Sequence, residues 1–223
     1  MGRLILVRHA DSVWNQKNIF TGWVDIGLSA KGIADAAKLG EIIKDEPIDR
    51  IYVSDLIRSQ MTAMIAFAKE TKRIPVLMCD EGRPHRDRHE IYDEETKKEV
   101  IPVYVAWELN ERYYGKLQGK NKDVLRREVG EKTFTEWRRS YKTSPPGGES
   151  LEMTVERVLP FFKRRIEEEL KEGKRILIVA HGNSLRGILK YIQNISDEDI
   201  VRLEVPTAQP MIFDYHAGAW NSA

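Results

Sequence analysis

Apolar residues along this 223-residue chain fall into strand-length runs that alternate with stretches of helical spacing. Leu4-Ile5-Leu6-Val7, Ile51-Tyr52-Val53 and Ile176-Leu177-Ile178-Val179 are uninterrupted, the pattern of buried strands. Ser29 is placed to cap a helix whose Ile33, Ala36, Ala37, Gly40 and Ile43 share one face. Ser54 and Asp55 offer caps for a helix after the second run. Ser150 opens a long helix with Leu151, Val155, Val158, Phe162 and Ile166 at helical spacing, and Gly173 ends it. From Asn183 the spacing recurs at Leu185, Ile188, Leu189 and Ile192, and Met211-Ile212-Phe213 reads as a last edge strand. This alternation predicts an α/β fold, a largely parallel sheet flanked by helices.

The middle of the chain breaks the pattern. Between Cys79 and Glu99, 13 of 21 residues are charged. Such a stretch has too little apolar surface to form a core, so residues 80–99 read as a solvated, inserted excursion. Thr143-Ser144-Pro145-Pro146-Gly147-Gly148 reads as a second loop. Neither is long enough to separate domains, so a single domain is expected over 1–223. The 36 Lys and Arg nearly balance the 35 Asp and Glu, which argues against bulk nucleic-acid binding; any anion site must be local. The lone Cys79 excludes a disulfide framework and any multi-cysteine metal site. No apolar run approaches the ~18 residues a membrane span needs, and the apolar start is too short for a signal peptide. A cytoplasmic enzyme, with neither membrane nor nucleic acid as partner, is the resulting expectation; a homo-oligomer is compatible with it.

One internal similarity carries chemistry. Leu4 to Ser12 (LILVRHADS) resembles Ile176 to Ser184 (ILIVAHGNS): in each, a strand runs into a histidine, a small residue and then capping residues. Ligand crevices of parallel sheets lie at the carboxyl ends of strands, so His9 and His181 are expected at one edge. Helix N-termini there favour an anion such as phosphate. Arg8 precedes the first histidine, and Arg58 falls in the first turn of the helix after the Ile51 run. Guanidinium groups grip phosphate oxygens bidentately, and a neutral imidazole can attack phosphorus. Glu111, within Trp107-Glu108-Leu109-Asn110-Glu111-Arg112, is the candidate acid and base by its motif.

The motifs LVRHADSVWN, FTGWVDIGLSAKG, SDLIRSQMTA, ELNERYYGKLQGKNK, EWRRSY, GESLEMTVERVLPF and AHGNSLRGILKY, in this order, resemble the cofactor-dependent phosphoglycerate mutases of the histidine phosphatase superfamily. The resemblance spans nearly the whole chain outside the charged excursion and the extreme C-terminus. It implies a three-layer phosphoglycerate mutase-like fold. It further implies His9 as the phosphorylated nucleophile, with Arg8, Arg58 and His181 completing the phosphate pocket and Glu111 exchanging the substrate proton. Asn15, Thr21, Gly22, Gly182 and Asn183 match phosphate- or substrate-contacting positions. Arg112, Tyr114, Lys122, Arg138 and Arg139 match positions that hold the rest of a phosphoglycerate, its carboxylate included. The implied reaction interconverts 3-phosphoglycerate and 2-phosphoglycerate, with 2,3-bisphosphoglycerate as primer and intermediate and no metal.

Some positions depart from the family pattern. Ala10 stands where Gly is usual and Asp11 where Glu is usual; a Cβ at position 10 restricts the backbone. The loop Pro145-Pro146-Gly147-Gly148-Glu149-Ser150 is short for a mutase, and PGGES is common among the phosphatase members. The alternative is therefore a histidine-type phosphatase of small phosphorylated metabolites. From other classes, His85, Asp87, His89 and Glu90 have spacing that a metal-dependent hydrolase could use, and a non-catalytic phosphate sensor would leave His9 unphosphorylated.

Overall fold

The computed structural model describes residues 1–69, 73–78 and 93–222. Seven strands form one sheet: β1 (Gly2–Arg8), β2 (Arg50–Val53), β3 (Ile74–Leu77), β4 (Val100–Val105), β5 (Arg175–Ala180), β6 (Pro210–His216) and β7 (Ala219–Ser222), in the order β3-β4-β2-β5-β1-β6-β7. The five strands from β3 to β1 are parallel, while β6 runs antiparallel to β1 and β7 antiparallel to β6. This is the α/β, largely parallel arrangement the alternation predicts.

Alternation along each central strand divides the core in two. Leu4, Leu6, Tyr52, Ile176 and Ile178 face the helix from Ser150 and the helix Gly182–Gln193, packing on Val158, Phe162, Ile166, Leu185 and Ile188. Ile5, Val7, Ile51, Val53, Leu177 and Val179 face the opposite layer, on Leu39 and Ile43 of the helix Ala30–Ile43 and Ala63 of the helix Ile57–Ala66. Strands covered on both faces need apolar residues at every position, which is why these runs are uninterrupted. Fully burying each such side chain contributes roughly 1.5–3 kcal/mol. The helix opened by the Ser150 cap runs through Pro160 into a wide π turn over Phe162–Glu167 before ending near Gly173 at φ +86°. Phe162, Ile166 and Leu170 stay on one buried stripe through it.

The structure corrects several local expectations. Ile33 is exposed at 44%; the buried face of its helix is Gly32, Ala36, Leu39 and Ile43. The cause is close approach: a Cβ at Gly32 would lie 1.9 Å from the Asp11 carbonyl oxygen. Met211–Phe213 belong to β6, which is flanked by β1 and β7 and so is not an edge; the edge on that side is β7 (Ala219-Trp220-Asn221-Ser222), too short and mixed to leave an apolar run. Strands β3 and β4 go beyond the apolar runs of the sequence, each carrying a proline (Pro75, Pro102), a residue that argues against a strand. Ser54 and Asp55 do not cap the following helix, whose N-cap is Leu56. Of the excursion, Asp93 caps an exposed helix Glu94–Lys98 leading into β4; Cys79 and residues 80–92 lie outside the described residues. Ala10 lies outside the positive-φ region, and its methyl packs with Leu28, Ala36 and Ala208.

Gly32 supplies a test. Gly→Ala inside a helix ordinarily stabilises by about 0.5–1 kcal/mol. Here the contact with Asp11 reverses the sign, and overpacking of this kind costs about 1–3 kcal/mol. Gly32→Ala is expected to lower the thermal midpoint by several degrees while exposed Lys38→Ala leaves it unchanged; calorimetry of both variants checks this.

Candidate active site

The pairing of β1 with β5 aligns Arg8 with Ala180, so the next residues, His9 and His181, emerge side by side. The His9 amide donates to the Ala180 carbonyl (2.9 Å), and the two rings lie 4.9 Å apart between centroids, tilted by 54°. Both histidines are buried. His9 Nδ1 lies 2.7 Å from the Ala10 carbonyl oxygen, which can only accept. The proton of the neutral ring is therefore on Nδ1, and Nε2 keeps its lone pair. Burial, then the charges of Arg58 and Arg8, hold the His9 pKa well below the ordinary value. His181 is held low in the same way, by burial first and then by Arg58 and its neighbour His9. Its Nε2 is 2.7 Å from the Ser54 hydroxyl, at the carboxyl end of β2. The same hydroxyl accepts the amide of Leu56 (3.2 Å), the N-cap residue, and so stops short of the amides inside the helix.

Arg58 stands in the first turn of the Ile57–Ala66 helix, 1% exposed. It is fixed by donating to the carbonyls of Gly22 (2.7 Å) and Val24 (3.1 Å), and burial brings its pKa down to about 10. Arg8 donates to the Val205 carbonyl (2.9 Å). The turn that receives Arg58 requires a glycine: Gly22 has φ +55°, and a Cβ there would meet Gln118 Oε1, the acceptor of the Trp23 amide.

Past the end of β4 the chain delivers Glu111. Its Oε1 accepts from the Arg112 amide (2.7 Å), the Asn183 amide (3.2 Å) and Asn183 Nδ2 (2.8 Å). Burial pushes its pKa up, but these bonds, with Arg8 and Arg58, outweigh that and leave it below the usual carboxylate range. A Cβ on Gly182 would stand 3.7 Å from Glu111 Oε2 and 3.8 Å from Arg8 Cζ, which puts carboxylate and guanidinium around one helix N-terminus. Asn183 also donates to the Tyr114 hydroxyl (3.2 Å) and is steadied by Arg186, whose Nη1 donates to Asn183 Oδ1 (3.0 Å).

Arg8, His9, Asn15, Thr21, Gly22, Arg58, Glu111, Tyr114 and Lys122 line one cavity of about 70 Å³, together with Ile19 and Phe20. Lys122, beside the Phe20 ring, is brought down to about 8 by burial and by the charges of Arg138 and Arg8. Asn15 directs its amide oxygen back to the Ser12 amide and hydroxyl as a helix cap. Arg112 and Arg139 are not brought to the lining. Arg112 donates to the carbonyls of Trp137 and Arg138, ending the helix Glu131–Arg139, and Arg139 pairs with Glu204 (2.6 Å). Arg138, half-buried, is lowered by burial and by Arg139 and also lies outside the lining. Ser54, Gln118 and Arg186 were missed in the sequence because each acts through a neighbour; only the i,i+3 spacing of Arg186 from Asn183 hinted at it.

Arg8 Nε, Thr21 Oγ1 and His181 Nδ1 are buried without a hydrogen-bond partner in the protein. Buried polar atoms need partners, and these, with the Arg58 guanidinium and Lys122, fit the oxygens of a polyanion such as a bisphosphorylated acid. Among the described residues no three His, Cys, Asp or Glu side chains are grouped to hold a metal, and His85, Asp87, His89 and Glu90 lie outside those residues. No described helix is long and apolar enough to cross a membrane.

Comparison with known proteins places these residues in a lineage. The chain matches the histidine phosphatase superfamily (branch 1) over residues 4–81 and 87–223. It is 48% identical over 218 residues to a protein of Protochlamydia amoebophila, covering 97% of this chain and 96% of that one, and 49% identical over 214 residues to one of Chlamydia caviae, covering 96% and 93%. Both are named 2,3-bisphosphoglycerate-dependent phosphoglycerate mutase. An Arabidopsis thaliana mutase of that name is 44% identical, and the match spans 96% of this chain but 65% of that longer protein. Among solved structures, Bacillus stearothermophilus YhfR superposes with a TM-score of 0.79 at 22% identity, covering 100% of this chain and 96% of that one. A mycobacterial glucosyl-3-phosphoglycerate phosphatase superposes at 0.75 and 20%, covering 99% and 96%; at such identities the likeness is one of fold. Agreement at 44–49% over nearly the full chain goes further: the chain belongs to the histidine phosphatase superfamily, among the 2,3-bisphosphoglycerate-dependent phosphoglycerate mutases.

Proposed function

We propose that the protein interconverts 3-phosphoglycerate and 2-phosphoglycerate by way of a phosphohistidine at His9, in the cytoplasm. The observation that carries this reading is the state of His9: a neutral imidazole with Nδ1–H held by the Ala10 carbonyl, in a cavity lined by Arg8 and Arg58. The high identity to relatives that bear the mutase name supports the choice of substrate.

Each residue then has a task. 2,3-Bisphosphoglycerate, when bound, supplies the phosphoryl group that charges His9. Arg8, Arg58 and His181 neutralise and orient the equatorial oxygens, which in phosphoryl transfer is most of the catalysis. With His9 charged, the free hydroxyl of the monophosphate attacks phosphorus; the Nε2–P bond breaks as the O–P bond forms, and the Glu111 carboxylate takes the hydroxyl proton. Its depressed pKa keeps it ionised for that role. Attack by Nε2 on the other phosphoryl group breaks that P–O bond, Glu111 returns the proton to the leaving oxygen, and the isomer is released. Lys122 is the cation of the lining that answers the far, carboxylate end of the substrate.

His9→Ala is expected to abolish both isomerisation and acid-labile phosphate incorporation, measured by quenched labelling from bisphosphoglycerate. Inorganic phosphate released by the unaltered protein without isomer would instead mean a phosphatase.

The neutral imidazoles also make stability depend on pH. Unfolded histidines take up protons near pH 6.5 while folded His9 and His181 do not, so each adds a stabilisation that is present above that value and lost as pH falls below it. From pH 7.5 to 5.5 each group removes about 1.4 kcal/mol. His9→Gln should therefore lose about 1.4 kcal/mol less than the unaltered chain over that interval, read from urea denaturation at the two pH values.

A further inference from the structure

The segment that carries Glu111 is held from beneath by one side chain that takes no part in the cavity. Arg157, on the helix opened by Ser150, is only 8% exposed. Its Nε and Nη2 donate to the two carboxylate oxygens of Glu149 at 3.0 and 2.9 Å, a bidentate fork. Its remaining donors reach the backbone of the 107–111 segment: Nη1 to the Glu108 carbonyl at 2.7 Å, both Nη atoms to the Asn110 carbonyl at 3.3 and 3.4 Å, and Nη2 to the Glu111 carbonyl at 3.3 Å. The indole N–H of Trp23 donates to that same Glu111 carbonyl, and the Arg157 guanidinium stands over the Trp23 and Trp107 rings at 5.6 and 5.7 Å.

The short loop supplies the other half of the clamp. Glu149 exchanges two bonds with Tyr113: its amide donates to the Tyr113 carbonyl (2.7 Å), and its Oε2 accepts from the Tyr113 amide (2.9 Å). The loop lies so close to the 113–115 backbone that a Cβ at Gly148 would stand 2.6 Å from the Tyr113 carbonyl oxygen. Glu111 is thus bracketed: Arg157 binds the carbonyls before and at it, and Glu149 binds the residue two beyond it.

We propose that Arg157, locked by Glu149, is a positioning residue that sets where the Glu111 carboxylate stands, and that the loop 145–150 delivers this clamp. The inference rests on the reading of Glu111 as the proton carrier. A planar fork with five donors can hold one carboxylate and three carbonyls at once; a lysine cannot. Displacing a reacting group by about 1 Å can cost about 10²-fold in rate.

The test separates transfers that need the Glu111 proton from one that does not. p-Nitrophenyl phosphate charges His9 without a general acid, because its phenolate leaves unprotonated; exchange between phosphohistidine and 3-phosphoglycerate involves an alkoxide and needs one. In rapid-quench measurements Arg157→Lys is expected to slow exchange with 3-phosphoglycerate about 10²-fold and to leave charging by p-nitrophenyl phosphate within about 3-fold. The double variant Glu111→Gln/Arg157→Lys should be no slower than Glu111→Gln alone, since one acts through the other. Equal losses in both reactions, or losses that multiply in the double variant, would overturn the proposal. Glu149→Gln, isosteric and unable to form the charged fork, gives the same reading should the lysine variant fail to fold. The Glu111→Gln control keeps the two claims apart: selective slowing there without selective slowing in Arg157→Lys rejects only the clamp, and no selective slowing in Glu111→Gln rejects the proton-carrier reading itself.

Discussion

An imidazole buried beside two guanidinium groups is the constraint around which the molecule is arranged. Burial and the charges of Arg58 and Arg8 all disfavour a proton on His9, and the Ala10 carbonyl holds the one proton it keeps. A nucleophilic nitrogen at neutral pH follows from this without any base to activate it. On the proposed mechanism, the same cations that keep the ring neutral would attract the phosphoryl group it attacks. Placing Arg58 there carries a desolvation penalty, since it is almost wholly buried; the carbonyls of Gly22 and Val24 and the charges of Glu111 and Asp25 offset it in part. Local stability is given up at the candidate site.

The parallel sheet makes the arrangement possible. Neighbouring strands in register release their last residues at one edge, so β1 and β5 deliver the two histidines, β2 delivers Ser54 and Arg58, and β4 leads to Glu111. No single segment could bring these groups together. The helix N-terminus at Gly182 adds its free amides, one of which, from Asn183, donates to Glu111.

Much of this was legible in the chain because buried parallel strands leave uninterrupted apolar runs, and because a histidine after such a run can only sit at the sheet's carboxyl edge. Elements with mixed composition were not: β3 and β4 contain prolines, β7 alternates too little to mark a strand, and the apolar Ile33 lies outside the buried face because Gly32 sits against the Asp11 carbonyl. At the site, strand ends and motif context pointed to Arg8, His9, Arg58 and Glu111 of the cavity lining, and the family resemblance to Asn15, Thr21, Gly22, Tyr114 and Lys122; Ile19 and Phe20 were not anticipated. They could not show that Arg112 and Arg139 are engaged by Trp137, Arg138 and Glu204, because a guanidinium's partner is a matter of tertiary placement. Ser54 was misread for the same reason: a serine at a strand end caps a helix in most settings, and only the fold reveals the imidazole 2.7 Å away.

The protonation state of His9 can be observed directly. In ¹⁵N-histidine-labelled protein without ligand, NMR should show the His9 ring neutral, with its proton on Nδ1, and unchanged as pH falls from 7.5 through 6. An imidazolium signal from His9 already present at pH 7, or a neutral ring protonated on Nε2, would contradict the account at its centre.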